Sequence, residues 1–410
     1  MNELQKTVIF CLAAAVLAGA AMIVDPGSAT PAVFDDQGEI FFADFTDPQA
    51  PKAIEVIDYD AESASATTLK VENVDNKWVL PSHGFYPADA EDRLANTAAA
   101  LIELRKDIVI SDRVEDHEQF DVIDPLDEKA TSLTGRGKRV TLRDGEGAVL
   151  ADFVIGSKVE DKAGYRYMRV WPQRRIYAVK TDIDPSVEFT DWIETDLLKL
   201  SPADVRKVQI NSYSINERLG RVENTDRFAL TKKDDEWSMP GGKPNKDNVD
   251  ALTKALDELK IVSVEEKPEG LSQDLKAETG IQLTRESFES LRQRGFFINT
   301  ATGQLLSNEG EIVVDAANGL QYTLRFGEIV TGGPAAEQEG EEAGEGERRY
   351  LFITVNYSEE RAKQYGVDGK VDEKGKELAE ELTNRFADWY YVIPGKDFSS
   401  LRPSRRELRG

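Results

Sequence analysis

Apolar and polar positions recur along the chain with two different periods, and the switches between them outline its elements. Val149-Leu150-Ala151-Asp152-Phe153-Val154-Ile155-Gly156 and Leu320-Gln321-Tyr322-Thr323-Leu324-Arg325-Phe326-Gly327 read as strands closed by glycine. Each follows another strand, Val140 to Arg143 and Glu311 to Val314, across Asp144-Gly145 and Asn318-Gly319. These dipeptides reach the positive φ that tight hairpin turns need. Further strands are predicted over Arg166 to Val170, Ile176 to Val179 and Tyr350 to Tyr357. Elsewhere the period lengthens. Leu94, Ala98, Leu101, Ile102 and Arg105 share one helical face, and so do Val249, Leu252, Leu256 and Leu259. Pro87 suits the first turn of the first of these helices. A third helix is predicted from Thr284 to Arg294, stopping at Gly295, and a fourth through Leu378, Leu382, Phe386 and Trp389.

The pattern occurs twice. Lys77-Trp78-Val79-Leu80-Pro81 leads into a helix ending Ala100-Leu101-Ile102-Glu103-Leu104; Glu236-Trp237-Ser238-Met239-Pro240 leads into one ending Ala255-Leu256-Asp257-Glu258-Leu259. Each unit then runs strand, Trp-x-x-Pro, helix, linker, hairpin, strand. Trp78 and Trp237 occupy matching places, which favours core anchors over a ligand platform. The fold predicted is α+β: one N-terminal transmembrane helix followed by two tandem homologous units of antiparallel sheet plus amphipathic helix. The expected divisions are residues 1–30 for the anchor and its flank, 31–200 for the first unit, 201–395 for the second and 396–410 for a basic, solvated tail holding Arg402, Arg405, Arg406 and Arg409. Ser201-Pro202-Ala203-Asp204 carries a helix-start signature ahead of a strand from Val205 to Ser214. Residues 332–347 are acidic and free of large apolar groups, so a disordered loop is expected there.

Thr7 to Val24 is apolar without a charge. At roughly 1.5 Å per helical residue such a run crosses a hydrocarbon layer of about 30 Å. The small residues Leu17-Ala18-Gly19-Ala20-Ala21 would suit signal cleavage, but the run continues through Met22, Ile23 and Val24, which favours a retained signal anchor. Lys6 in front and Asp25 behind put the bulk of the chain outside the cytoplasm. The expected location is therefore an inner membrane, single-pass, with the mass periplasmic.

Charge narrows the partners. Seventy-six acidic residues against 51 basic ones leave a net charge of -25 over 410 residues. Such a surface repels phosphate backbones, which argues against nucleic acid. Chemistry has little to work with. Cys11 lies in the apolar run, and the two histidines, His83 and His117, sit in turn-like and acidic stretches that read as solvated loops. No zinc spacing, nucleophile elbow or phosphate loop occurs, and Asp58-Tyr59-Asp60 and Asp182-Ile183-Asp184 lack the glycine and distal glutamate of a calcium loop. No catalytic, cofactor-binding or metal-binding residue is assigned, no cofactor is expected, and the chain is not expected to be an enzyme.

The chain resembles the domain-of-unknown-function 4340 family of bacterial envelope proteins. The resemblance is carried by Lys77-Trp78-Val79-Leu80-Pro81 with its helix, Phe120-Asp121-Val122-Ile123-Asp124-Pro125, Tyr177-Ala178-Val179, Asp191-Trp192-Ile193 and Leu197-Leu198-Lys199-Leu200-Ser201-Pro202; Phe386 to Ile393 looks like the long planctomycete-type variants. The resemblance implies an N-terminal membrane anchor and protein partners in an ABC-type transport or gliding-motility-like complex, with no family active site to carry over. The expected function is thus a non-enzymatic, membrane-anchored extracytoplasmic interaction module. The alternative is a glycan or envelope-ligand binding module with a cleft between the two repeats, exposing aromatics near Trp171, Trp192 or Tyr213.

Overall fold

The computed structural model describes residues 36–216, 218–219, 221–272, 275, 284–299, 302–331, 347–366 and 373–409. Two large antiparallel sheets dominate them. The first holds nine strands in the order β4-β3-β2-β1-β6-β7-β8-β9-β5. These are β1 (Ala53–Asp60), β2 (Ser65–Val74), β3 (Lys77–Leu80), β4 (Tyr86–Pro87), β5 (Ile108–Ser111), β6 (Lys138–Arg143), β7 (Val149–Lys158), β8 (Tyr165–Val170) and β9 (Ile176–Lys180). The second holds eight in the order β12-β11-β10-β16-β17-β18-β19-β13. They are β10 (Val205–Asn216), β11 (Arg221–Lys233), β12 (Glu236–Ser238), β13 (Ser263–Glu266), β16 (Glu311–Ala316), β17 (Leu320–Ile329), β18 (Arg348–Tyr357) and β19 (Trp389–Pro394). A small hairpin pairs β14 (Phe296–Ile298) with β15 (Leu305–Ser307).

Apart from β4, the two orders coincide strand for strand. Each sheet begins with a meander and sends a helix, α1 (Glu91–Ile102) or α2 (Lys246–Asp257), across to the far edge. There it lays down one short strand, β5 or β13, and returns to pair beside the first strand of the meander. Leu94, Ala98 and Leu101 of α1 and Val249, Leu252 and Leu256 of α2 are buried in one apolar core that includes both sheets. Tyr86 of β4 crosses Trp389 of β19 edge-on at 5.0 Å, so the sheets meet through aromatic packing.

The α+β expectation is corrected. Antiparallel sheet is the dominant regular structure of the described chain, and its helices are few. Besides α1 and α2 these are α3 (Arg285–Gln293), α4 (Glu359–Tyr365), α5 (Glu373–Phe386) and α6 (Gly395–Leu401). The run Thr7 to Val24, expected to form the transmembrane helix, lies outside the described residues; no described helix is long and apolar enough to cross a membrane. The expected acidic loop likewise falls outside them, apart from Glu347.

Several helical expectations gave way to strands or turns for local reasons. Pro87 closes β4 instead of opening α1, which starts at Glu91 with Glu91 and Asp92 against its positive end. Ser201 caps the turn Pro202–Asp204, accepting from the Ala203 N–H, and the strand expected from Val205 follows it directly as β10. Trp389 is not on the fourth helix. α5 ends at Phe386, and Trp389-Tyr390-Tyr391-Val392-Ile393-Pro394 forms a strand buried along its whole length. The helix expected at Thr284 runs from Arg285 to Gln293, with the Thr284 side chain accepting from the Ser287 N–H.

The outer face of each sheet carries a cover inserted after the short far strand. Residues 112–137 lie over the first sheet and close a small core of Val122, Val154 and Ile176. Residues 284–308, with α3, β14 and β15, lie over the second, where Leu291, Phe296, Phe352 and Tyr390 are buried together. The chain from Gly395 onward is not a solvated tail. Leu401 and Leu408 are fully buried, Arg402 pairs with Glu309 at 3.1 Å and Arg405 with Asp226 at 2.6 Å. Apolar residues between the arginines make this segment a strap across the second sheet.

Candidate functional site

A groove of about 1680 Å³ opens where the connector between the sheets passes α2 and the strap. The connector is held from beneath: Phe189, Trp192, Ile193, Leu197 and Leu198 are buried, and the Trp192 Nε1–H donates to the Ser186 carbonyl at 2.9 Å. The polar residues between these anchors, Glu188, Asp191 and Asp196, form one wall. α2 turns its apolar stripe inward and offers Asn248, Ala251, Lys254, Ala255 and Glu258 as the second wall. Lys396, Asp397, Ser399 and Ser400 of α6, with Glu407 beyond it, complete the third.

Seven carboxylates face three lysines along these walls: Glu188, Asp191, Asp196, Asp257, Glu258, Asp397 and Glu407 against Lys254, Lys260 and Lys396. One lysine is already engaged, Lys254 lying 3.5 Å from Glu258 one turn on. Burial pushes the Asp397 carboxyl above its ordinary range, although a backbone bond from Lys260 and the charges of Lys396 and Lys260 pull the other way. Glu188 is likewise raised, by burial first and then by Asp191 and Asp58. A carboxylate raised by its surroundings gains from an arriving cation, so these walls favour positive ligands.

Two polar clusters elsewhere serve the fold. On the outer face of the first sheet, Arg139 grips Asp152 through Nε and Nη2 at 3.0 and 2.8 Å and reaches Asp124 at 3.1 Å. The Trp171 ring lies 3.7 Å from that guanidinium, and its Nε1–H donates to Asp124 at 2.5 Å. At the β9 edge, Asp36 accepts from the Tyr177 hydroxyl at 2.5 Å and from Arg175 at 2.8 Å, while Arg175 also holds Asp112 at 2.6 Å. Burial first, and then the bond to Asp36, raise the Tyr177 hydroxyl above its usual range, and Arg175 ties the same carboxylate to Asp112.

Neither histidine is a solvated loop residue. His117 is buried, with Nε2 2.8 Å from the Arg174 carbonyl oxygen. His83 stacks on Phe189 at 4.4 Å. Among the described residues no group of three or more His, Cys, Asp or Glu is arranged to hold a metal ion. Asp58 and Asp184, from the two acidic triplets, share Lys138 instead, at 3.4 and 2.7 Å. Trp78 and Trp237 lie half-buried against the core in matching positions on β3 and β12. Of the aromatics expected to line a cleft, Trp192 and Tyr213 are buried; Trp171 is 37% exposed but does not line the groove. The groove's carboxylates had no sequence signature beyond the solvent face of α2, because three separate segments supply them.

Residues 78–277 match the domain of unknown function (DUF4340), and the chain belongs to that family. The match begins at Trp78 and so takes in β3, α1, the first-sheet hairpins, the connector, and the second sheet's meander with α2. No curated protein and no solved structure matches the chain.

Proposed function

We propose that this chain is a non-enzymatic interaction module that works outside the cytoplasm, as an accessory to a membrane complex of the ABC-transport or gliding-motility type. The observation that carries the proposal is the groove. Its volume of about 1680 Å³ exceeds the ~300–1,000 Å³ of ordinary small-molecule sites, and suits a length of polypeptide. Its excess of carboxylates favours a basic segment and would steer one in from solution. The apolar run Thr7 to Val24 supports a location at a membrane, and the family resemblance supports the transport context.

Photo-crosslinking in native membranes tests this reading. A crosslinker placed at Ala251 or Ser400, both exposed on the groove walls, is expected to capture one defined protein of a membrane complex. Asp397→Lys combined with Glu258→Lys should remove that adduct by reversing the wall charge. Adducts no stronger than those from a crosslinker at exposed Glu160, which does not line the groove, would refute it.

A further inference from the structure

The second strand of each meander is covered over only part of its length. β3 pairs with β2 at Glu72, Asn73 and Val74, leaving Ser65 to Val71 with no described strand on that side. β12 likewise pairs with β11 only at Thr231, Lys232 and Lys233. Asp75 and Asn76, at φ 50° and 62°, close the β2–β3 hairpin as a two-residue turn. Val74 and Glu72 therefore exchange bonds with β3, and the alternation of an antiparallel ladder turns the N–H and C=O of Lys70, Thr68 and Ala66 to the open side. Asn73 fits this parity: its N–H points the other way, to the Lys52 carbonyl at 2.7 Å.

The two edges have diverged. Along β11 the strap closes in: Arg405 donates to Asp226 at 2.6 Å and to the Arg227 carbonyl at 3.0 Å, with its guanidinium 5.0 Å from the Phe228 ring. Arg221, Glu223, Asp226 and Arg227 also charge that edge. Ser65-Ala66-Thr67-Thr68-Leu69 has no charge and no proline, and Ser65 to Thr68 are exposed. Its register with β1 runs from Ala53↔Glu72 to Asp60↔Ser65 without a bulge. Charge, proline and bulges are the devices that stop an edge strand from pairing, and residues 65–69 lack all three.

We propose that Ser65 to Val71 receives an extended, basic segment of a partner protein as an added strand. The open stretch runs from the 61–64 turn toward β3 and the Pro81–His83 turn, which packs against β2. A second copy of the chain fits poorly. In symmetric pairing about Thr68, residue 64 of one copy falls opposite Glu72 of the other, the place that Val79 already fills. Charge selects the segment's chemistry: Asp60 and Glu62 flank the turn, Glu55 lies on the neighbouring strand, and Lys70 is already paired with Glu72. The added strand carries its lysines or arginines toward the turn. This surface is distinct from the groove, so the two proposals fail independently.

The probe is a capped heptapeptide of alternating lysine and valine, with a glutamate and valine counterpart, titrated against the full chain. The lysine peptide should bind saturably and slow amide exchange at residues 65–71 but not at 221–230, and the glutamate peptide should do neither. Thr68→Pro removes an outward N–H and no ladder bond, so it should weaken binding by about tenfold, the worth of one good hydrogen bond, with the unfolding midpoint unchanged. Absence of protection at 65–71 overturns the proposal. So does equal binding by a folded Thr68→Pro variant. Protection that rises with protein concentration in the absence of peptide would instead assign the edge to a second copy.

Discussion

Acid should destabilise this protein in part through a single histidine. His83 ends the turn Pro81–His83 that follows β3, stacks on Phe189 with the rings 20° apart, and keeps Nδ1 2.9 Å from the Ser82 hydroxyl. Burial there lowers its pKa from 6.5 to about 4. Between those values the unfolded chain binds a proton that the folded chain refuses. The stabilisation is therefore complete above the unfolded value and is lost as pH falls toward the folded one. At about 1.4 kcal/mol per pH unit the ceiling is about 3 kcal/mol, with about 2 of it spent between roughly pH 7 and pH 5. The ring is only partly shielded from water, which brings the expected loss to about 1 kcal/mol. The assay is urea unfolding of the wild type and His83→Phe across this range, the variant keeping an aromatic stack on Phe189. Seventy-six carboxylates titrate in both proteins, so the difference between the two curves isolates His83. Parallel curves, or an NMR titration of His83 centred near its ordinary value, would refute the reasoning.

Gly156 and Gly327 lie two residues before the ends of β7 and β17, where a Cβ would sit 2.2 Å from the Phe120 and Arg294 carbonyl oxygens of the two covers. Neither oxygen can retreat without lifting its cover, so Gly156→Ala and Gly327→Ala should each cost about 1–3 kcal/mol in urea unfolding. Arg139→Ala leaves Asp152, 9% exposed, without its two-pronged partner; a loss of about 3 kcal/mol is expected, and Arg139→Lys should recover only part of it. Leu408→Ala empties a fully buried site under the strap and should cost about 2–4 kcal/mol, with earlier proteolytic cleavage between Leu401 and Leu408.

Hairpins were the legible part of this fold. Asp144-Gly145 and Asn318-Gly319 sit between apolar runs, and local backbone preference is enough to place the turns that join β6 to β7 and β16 to β17. The α1 and α2 stripes were legible for the same reason, each being one face of one element. What pairs with what was not. β5 and β13 are four-residue strands whose place at the far edge depends on β9 and β19, more than sixty and more than a hundred residues downstream. Trp389 to Pro394 carries an apolar pattern that extends the preceding helical one, and only its burial on both faces makes it a strand. The histidines were misread because their sequence neighbours are polar, whereas Phe189 and the Arg174 carbonyl, which shield them, arrive from elsewhere. The groove was illegible for the same reason: the connector, α2 and the strap meet only in three dimensions.

The divergence between the two sheets bears on both proposed partner surfaces. Their strand orders coincide and their inner faces share one core, so packing constrains both halves alike there. Freedom to differ remains in the covers, the edges and the junction. The second sheet spends that freedom on itself. Its strap, Arg405 and Arg402 included, docks along β11 and against Glu309, closing an edge that the common architecture leaves open. The same strap supplies the third wall of the groove. Among the described residues the first sheet has no such strap, and Ser65 to Thr68 of its equivalent edge are exposed. One sequence extension therefore closes a pairing surface on one half and builds the wall of an acidic groove between the halves. The groove and the open edge are the two surfaces proposed for a partner, and the carboxylates near both would favour the same kind of segment, extended and basic.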